Sequence, residues 1–274
     1  MISASALQAQ ANRNRRAIID MIHMANAGHP GGSLSVIDVL TAIYATDVDL
    51  HASPRSRVVL SKGHAVPAQY AILHEAGILS DDEMKTLRQL DSRLQGHPSS
   101  HRLPEVDATT GLLGQGLSQG IGMALAKRMQ GDPHRVYVVC GDGEMHEGQI
   151  WEAAAQAAQW KLDSLICVVD ENHLSSSGVT REVIDNRDLA AKFRAFGWAA
   201  ETIDGHDMQA VLDALARARA NRGSPYAIIA ETVKGKGVSY MENNVTYHSS
   251  GIAGELYEQA LRDLDALDAV KEGN

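Results

Sequence analysis

The chain has 274 residues and carries 25 lysines and arginines against 34 aspartates and glutamates, a formal net charge of −9. This acidic balance argues against a sequence-independent nucleic-acid binder, which needs a basic stripe. No apolar run approaches the ~18 residues of a membrane-spanning helix, and the amino-terminal segment lacks the apolar core of a secretory signal. Cys140 and Cys167 lie in β-type runs and are too few for a disulfide framework. We expect one cytoplasmic domain, residues 1–274, that binds neither nucleic acid nor membrane.

The first part of the chain predicts four helices and one short strand. Apolar residues recur at helical spacing in segments 5–27, 35–46, 65–77 and 80–90. A glycine- and proline-rich stretch, 27–33, separates the first two helices, and a β-branched run at 57–61 predicts the strand. Ser80 and Glu83 form a capping box at the start of the fourth helix. Residues 91–113 are predicted to be irregular.

Short apolar strands alternate with helices over the rest of the chain. Strands are expected at 135–140, 165–170, 198–203 and 226–232. Helices are expected at 117–130, 148–160, 188–196, 207–221 and 255–270, before a KEGN tail. Near-continuous apolar strands that alternate with helices predict an α/β fold, in which helices cover both faces of a parallel sheet.

Two strand ends carry residues suited to a ligand. Gly141-Asp142-Gly143 directly follows one apolar run, and Asp170-Glu171-Asn172 follows the next. Ligands of parallel sheets lie beyond the carboxyl ends of the strands, so the Asp142 carboxylate and the Asn172 amide should converge if these strands are neighbours. Such oxygen ligands suit Mg²⁺, and the flanking glycines let a phosphate approach the backbone. Ordinary turns after strands would give the same pattern, so both interpretations remain open from this motif alone.

Three other motifs have competing interpretations. His97 and His101 lie four residues apart and suggest a zinc pair, although a proline between them argues against a regular helix. The glycine-rich segment 114–120 faintly resembles a dinucleotide fingerprint, but the residues before it are not strand-like. Lys234 and Lys236 can be simply solvated.

The order of these motifs resembles thiamine-diphosphate enzymes. Gly141-Asp142-Gly143 with Asn172 some thirty residues on is similar to their diphosphate-binding motif. The segment GDGEMHEGQIWEA (141–153) narrows the resemblance to transketolases, particularly to the N-terminal half of a transketolase encoded as two chains. Further blocks match in the same order: AGHPGGSLS (27–35), VLSKGHAVPAQY (59–70), GHP (96–98), TTGLLGQGLSQGIGMA (109–124), VKGKGVS (233–239) and HSSG (248–251).

The resemblance implies a role for each matched residue. Asp142, the Asn172 side chain and the Leu174 carbonyl would ligate Mg²⁺, or Ca²⁺ or Mn²⁺ in its place. The residues implied to bind thiamine diphosphate are His64, Gly111, Leu112, Leu113, Gly141, Gly143, Lys234 and His248. The residues implied to take part in catalysis are His29, His64, His97, Glu147 and His248. Among these, His29, His97 and His248 would bind sugar hydroxyls and shuttle protons. Glu147 would support a partner chain's glutamate across a contact between chains.

The implied activity is the transfer of a two-carbon ketol unit from a ketose phosphate donor to an aldose acceptor. The resemblance covers only the diphosphate-binding domain, so we expect a partner chain that supplies the pyrimidine-binding and C-terminal domains in an α2β2 heterotetramer. A deoxyxylulose-phosphate-synthase-like enzyme and a 2-oxo acid dehydrogenase E1 subunit share the motif and are alternatives, but the EGxxWE block and the histidines favour a transketolase. A scaffold subunit that binds cofactor without turnover is a third alternative.

The chain departs from the family pattern in two places. Leu112 stands where members often have the proline of Gly-Pro-Leu, and Ser176 and Ser177 stand where an aliphatic residue and an aspartate are usual. The second departure lies in a loop that borders the thiazolium ring in the family. Donor preference is therefore the property that the resemblance predicts least well.

Overall fold

A computed structural model describes residues 3–269 of the chain. Within them, five parallel strands form one sheet in the order β1-β2-β3-β5-β4. The strands are β1 Arg57–Leu60, β2 Val136–Gly141, β3 Leu165–Glu171, β4 Ala199–Asp204 and β5 Tyr226–Glu231. The predicted parallel α/β architecture is confirmed, and the predicted strands are correct to within one residue at each end.

Helices cover both faces of this sheet. They are α1 Ala4–Ala25, α2 Pro30–Asp47, α3 Val66–Glu75, α4 Asp81–Met84, α5 Gly116–Gln130, α6 Gly148–Gln159, α7 Thr180–Val183, α8 Leu189–Ala195, α9 Met208–Ala220 and α10 Glu255–Ala269. No helix within the described part of the chain combines the length and the hydropathy needed to cross a membrane. The KEGN tail lies outside the described residues.

The alternation of side chains along β2 explains the two cores. Tyr137 and Val139 belong to an apolar cluster with α1, α2, α3, α9 and α10, whereas Val136 and Val138 belong to a second cluster with α5, α6 and α8. Successive strand residues point to opposite faces, so one apolar strand fills both clusters. Cys140, a free thiol, is buried in the second cluster.

The predicted break between the first two helices is confirmed but shorter than expected, because α1 ends at Ala25 and α2 begins at Pro30 rather than at residue 35. Proline suits the first helical position, since its fixed φ matches the helix and its missing N–H has no partner there. The two glycines that follow allow close packing instead of interrupting the chain. A Cβ on Gly31 would lie 2.8 Å from the Tyr247 carbonyl oxygen, and one on Gly32 would lie 3.2 Å from a ring nitrogen of His64.

The helix predicted at 80–90 is wrong beyond Met84, where α4 ends. The capping box at its start is confirmed, with reciprocal hydrogen bonds between Ser80 and Glu83. The chain then turns, because Arg88 adopts a left-handed φ of 62° and donates its backbone N–H to the Leu94 carbonyl at 2.8 Å. The irregular segment predicted at 91–113 is confirmed.

Candidate active site

The register of β2 and β3 brings the two strand-end motifs together. Gly141 pairs with Asp170 across the ladder, so Asp142 and Asn172 both lie immediately beyond the same edge of the sheet. The Asp142 N–H also donates to the Asp170 carbonyl at 3.2 Å. Both side chains are buried there. The convergence predicted for parallel neighbours is therefore observed.

Asp142 is a buried carboxylate that forms no ion pair within the described residues. Its Oδ1 accepts from the Gly143 N–H and its Oδ2 accepts from the Thr180 hydroxyl, each at 2.9 Å. Asn186 donates to the Asp142 carbonyl at 2.8 Å. Burial, with the added charge of Asp170, raises the pKa of Asp142. A bound divalent cation would offset the cost of burying this negative charge.

Asn172 and Leu174 place two further oxygen atoms beside this carboxylate. The Asn172 Nδ2 donates to Ser35 Oγ at 3.2 Å and to Asp170 Oδ2 at 3.1 Å, which leaves its Oδ1 to accept from the Leu174 N–H at 3.2 Å. The Leu174 carbonyl accepts from Lys234 at 2.7 Å. Each of these oxygens has two lone pairs, so these bonds leave capacity for a metal ion.

Lys62 and Asp170 form a fully buried ion pair that the motifs did not assign to the site. Lys62 also donates to the Gly32 carbonyl at 3.2 Å, and the hydroxyls of Ser35 and Thr232 donate to the Asp170 carboxylate. Burial alone would raise the pKa of Asp170, but the charge of Lys62 and these hydrogen bonds lower it. Both residues stand inside motifs quoted above, yet they are 108 residues apart and nothing in the spacing shows that they meet.

Lys234 connects the loop after β3 with the short 3-10 turn that ends at His248. Its Nζ donates to the carbonyls of Leu174 and Ser175 and contacts His248 Nδ1 at 2.9 Å. Burial, with the charge of Lys62, lowers the pKa of Lys234 to about 8. Lys234 is 1% exposed, so the solvated interpretation is wrong for this residue. Its positive charge suits a diphosphate group.

The backbone before Lys234 is held by a histidine that matches no family block. The Val233 N–H donates to His206 Nε2 at 2.9 Å, and His206 Nδ1 contacts Asp38 Oδ2 at 2.7 Å. Asp38 is fully buried and also pairs with Arg15 on α1. Burial would raise the pKa of Asp38, but Arg15 and His206 lower it. This chain of contacts ties the Lys234 loop to α1 and α2.

The four histidines implied by the resemblance form one cluster. The His29 ring centroid lies 5.5 Å from that of His64, 5.8 Å from His97 and 5.6 Å from His248, and His64 lies 5.0 Å from His248. Burial and nearby positive groups lower the pKa of all four, to about 4 for His29 and about 3 for His248. Each ring is therefore neutral at pH 7, with one donor and one acceptor nitrogen, which suits hydroxyl binding and proton transfer.

The segment 111–113 approaches this cluster through its glycine. Gly111 has a φ of 127°, and a Cβ there would lie 2.8 Å from the His97 ring. No larger residue would keep this contact, because both the backbone conformation and the space favour glycine. Leu113 lines the cavity described below, whereas Leu112 is 77% exposed.

Two glutamates of the 141–153 segment differ in their surroundings. Glu144, which the motifs did not single out, is buried and accepts from the backbone N–H groups of Gly114 at 2.9 Å and Gly141 at 3.1 Å, and from the Ser61 hydroxyl. It joins the loop ending at Gly114 to the end of β2. Glu147 is exposed, and its carboxylate has no hydrogen-bond or ion-pair partner within residues 3–269.

A cavity of about 240 Å³ connects most of these residues. Its lining includes the predicted residues His64, Leu113, Gly141, Asp142, Gly143, Glu147, Asn172, Leu174, Lys234 and His248. The predicted residues outside this lining are His29, His97, Gly111 and Leu112, of which the first two join the site through the histidine cluster. Ser176 and Ser177 also line the cavity.

The alternative motifs find no support in the structure. Within the described residues, no group of three or more histidine, cysteine, aspartate or glutamate side chains is arranged to hold a metal ion, which argues against zinc at His97 and His101. Segment 114–120 does not follow a strand directly, as a dinucleotide fingerprint requires. Lys236 is partly buried and lies 3.7 Å from Glu242.

Sequence comparisons agree with this geometry. A family model described as "Transketolase, thiamine diphosphate binding domain" matches residues 6–264. The chain is similar to an apulose-4-phosphate transketolase subunit from Phocaeicola vulgatus, with 37% identity over 96% of this chain and 95% of that protein. It is also similar to the 6-deoxy-6-sulfo-D-fructose transketolase subunit SqwG of a Clostridium species, with 40% identity over 94% of this chain and 96% of that protein. Human transketolase is 36% identical over 94% of this chain and 42% of its own length.

Solved structures show the same relationship. The transketolase of Campylobacter jejuni superposes with a TM-score of 0.90 at 34% identity, over 96% of this chain and 43% of that chain. The transketolase of Leishmania mexicana gives a TM-score of 0.84 at 28% identity, over 99% of this chain and 46% of that chain. The chain thus spans nearly the whole length of its subunit relatives and less than half of these full-length transketolases.

The residues at the sheet edge fit a diphosphate, which this family description names, and the divalent metal ion that the sequence resemblance implies. The Asp142 carboxylate, the Asn172 amide oxygen and the Leu174 carbonyl provide the oxygen atoms that Mg²⁺ prefers, and Lys234 provides a cation for a diphosphate. Gly143 keeps the backbone open, since a Cβ there would lie 3.3 Å from Ser175. With the parallel sheet, the range of the family match and the identity to its relatives, these features establish that the chain belongs to the family of transketolase thiamine diphosphate-binding domains.

Proposed function

We propose that this chain is the diphosphate-binding subunit of a two-chain transketolase, which moves a two-carbon ketol unit from a ketose phosphate donor to an aldose acceptor. The observation that carries the proposal is the buried Asp142 carboxylate, which forms no ion pair among the described residues and shares a cavity with Lys234 and neutral histidines. Two relatives of similar length are named as transketolase subunits for sugars that carry phosphate or sulfonate. These names support an anionic sugar as substrate.

In this proposal, the sheet edge holds the metal and the cofactor. Asp142, the Asn172 amide oxygen and the Leu174 carbonyl ligate Mg²⁺, or Ca²⁺ or Mn²⁺ in its place. The diphosphate and ring contacts come from His64, Gly111, Leu112, Leu113, Gly141, Gly143, Lys234 and His248. When bound, thiamine diphosphate supplies the carbon nucleophile that transfer of a ketol unit requires.

The histidine cluster handles the protons of the sugar. His29 and His97 do not line the cavity but adjoin its histidines, and we assign them to the substrate hydroxyls. His64 and His248 line the cavity itself and contact both cofactor and substrate. Because the rings are neutral, each can donate one hydrogen bond and accept another.

A partner chain completes the site, in an α2β2 assembly. Glu147 faces outward beside Val183, which lines the same cavity and is 50% exposed. Ile184 is 56% exposed, and its carbonyl lies 2.9 Å from a ring nitrogen of His146. An apolar surface around an unpaired carboxylate is typical of a protein–protein interface. We place Glu147 against a glutamate of the partner, and the complex in the cytoplasm, where buried thiols such as Cys140 stay reduced.

The test compares the isolated chain with the assembled complex. The purified chain, assayed with Mg²⁺, thiamine diphosphate and ketose phosphates, should show no ketol transfer, and addition of the chain that carries the pyrimidine-binding domain should restore it. General acid–base assistance alone is worth ~10²–10⁴-fold, and the missing half of the cleft removes positioning as well. Robust turnover by the single polypeptide would contradict the proposal. The Asp142→Ala complex should be inactive and should not bind thiamine diphosphate in the presence of Mg²⁺.

A further inference from the structure

Arg88 presents a guanidinium group without a partner beside the histidine cluster. The residue is exposed, and its side chain forms no ion pair or hydrogen bond within residues 3–269. Arg93, in the same loop, differs because it pairs with Glu83 at 2.7 Å and with Glu105 at 3.1 Å. A guanidinium group carries five donors in a planar fork, so the unpaired one is available to an anion.

The backbone directs this side chain toward His97. Arg88 has a left-handed φ of 62°, a conformation that is unfavourable for a non-glycine residue, and strain of this kind is often found at functional sites. Its N–H bond to Leu94 closes the turn. A Cβ on Gly96 would lie 2.8 Å from Nη1 and 3.0 Å from Cζ of Arg88, so the absent side chain lets the guanidinium lie against this peptide. The next residue is His97.

The charge of Arg88 acts inside the cluster. After burial, it is the group that lowers the pKa of His97, and it also lowers the pKa of His29. The charges that act on these two rings are all positive. A substrate held by its hydroxyl groups at His29 and His97 would therefore bring any anionic group it carries toward an uncompensated cation.

We propose that Arg88 recognises the phosphate or sulfonate group of the sugar substrate, while His29 and His97 bind its hydroxyls. This inference rests on the proposed function and specifies its substrate class. The fork of N–H donors matches two oxygens of a tetrahedral oxyanion, and such charge-assisted pairs are stronger than neutral hydrogen bonds. Arg88 therefore sets a preference for charged over neutral sugars.

The experiment compares the wild-type assembled complex with its Arg88→Gln and Arg102→Gln variants. Arg102 is the control, because it is also exposed and unpaired among the described residues but is not among the charges acting on the four histidines. The probes are fructose 6-phosphate, 6-deoxy-6-sulfofructose and fructose. Arg88→Gln should lower kcat/KM for the anionic sugars about 10- to 100-fold, mainly through KM, and should change it less than about twofold for fructose. Arg88→Lys should recover part of the loss.

A parallel loss for all three sugars would show that Arg88 only supports the loop, and would overturn the inference. A loss confined to fructose 6-phosphate or to the sulfonate would identify which anion the residue serves. Calorimetry with inorganic phosphate gives a measurement that does not depend on turnover, and Arg88→Gln should weaken binding severalfold. Unchanged phosphate binding would also contradict the inference. A wild-type complex that binds phosphate through Arg88 but transfers no ketol unit would refute only the proposed function.

Discussion

The ends of β2 and β3 carry two buried aspartates whose surroundings differ in one respect. Asp170 contacts the Lys62 ammonium group, and its pKa is lowered. Asp142 has no such partner among the described residues, and burial raises its pKa. Burial is similar at the two positions, 0% and 3% exposed, so the difference lies in compensation of charge. A buried carboxylate that is paired within the chain cannot lose its partner without a cost in stability, whereas one without an ion pair is suited to bind a cation.

The largest change in stability should follow from breaking the ion pair between Lys62 and Asp170. Asp170→Asn leaves the Lys62 ammonium group buried without an anion, which should lower the free energy of unfolding by about 3–5 kcal/mol. Chemical denaturation of the full chain measures this. The double variant Lys62→Met/Asp170→Asn removes both charges and should recover much of the loss, which is the coupling that a double-mutant cycle detects. Equal stability of wild type and Asp170→Asn would show that the pair does not compensate the charge.

The second prediction concerns the Asp142 carboxylate, which forms no ion pair among the described residues. Asp142→Asn removes a charge that burial disfavours, so without metal its free energy of unfolding should stay within about 1 kcal/mol of wild type. In wild type, Mg²⁺ with thiamine diphosphate should raise Tm, since a ligand at a hundred times its Kd stabilises by about 2.7 kcal/mol. Asp142→Asn should lose this rise, whereas the neighbouring Glu171→Gln, which keeps all three proposed ligands, should retain it. An unchanged ligand effect in Asp142→Asn would exclude the proposed metal site.

The smallest expected change in stability concerns His29 in the histidine cluster, where burial and nearby positive groups disfavour a charged ring. The pKa of His29 is lowered from 6.5 to about 4, so the unfolded chain binds more protons between these values. The stability contributed by neutral His29 is therefore present above pH 6.5 and is lost as the pH falls toward 4.

His29→Asn should consequently lose less stability than wild type on acidification. The difference should be no more than about 1 kcal/mol, because the ring is partly exposed and water screens its charge. Denaturation curves between pH 4 and 7 measure it. His101→Asn, at an exposed histidine outside the cluster, should follow wild type. Identical pH profiles for His29→Asn and wild type would mean that the ring protonates without cost in the folded chain.

The convergence of Asp142 and Asn172 could be predicted from the sequence, whereas the ion pair between Lys62 and Asp170 could not. Asp142 and Asn172 follow apolar strands directly, and the rule that parallel neighbours share a carboxyl edge was enough to bring them together. The Lys62–Asp170 pair depends on a contact between side chains 108 residues apart, which no local pattern encodes. Glu144 was missed for the same reason, since its partners lie on another loop and another strand end.

The two errors in helix boundaries also have physical causes. Gly31 and Gly32 suggested a break, but they serve close packing against Lys234 and His64, a tertiary requirement that overrides low helix propensity. The apolar spacing after Met84 continued a helical pattern, but the turn at Arg88 ended it. Gly32 and Arg88, where the predicted and observed helix boundaries differ, both adjoin the histidine cluster.

His206 has a thermodynamic consequence for ligand affinity. Because it fixes the Val233 N–H and is itself fixed by Asp38, the Lys234 loop is ordered when the α1–α2 layer packs on the sheet. The conformational entropy of that loop is lost during folding, so the loop is already ordered for the diphosphate that we propose it binds. Affinity at the sheet edge therefore depends on packing around Arg15, and changes there can weaken binding without touching the ligand.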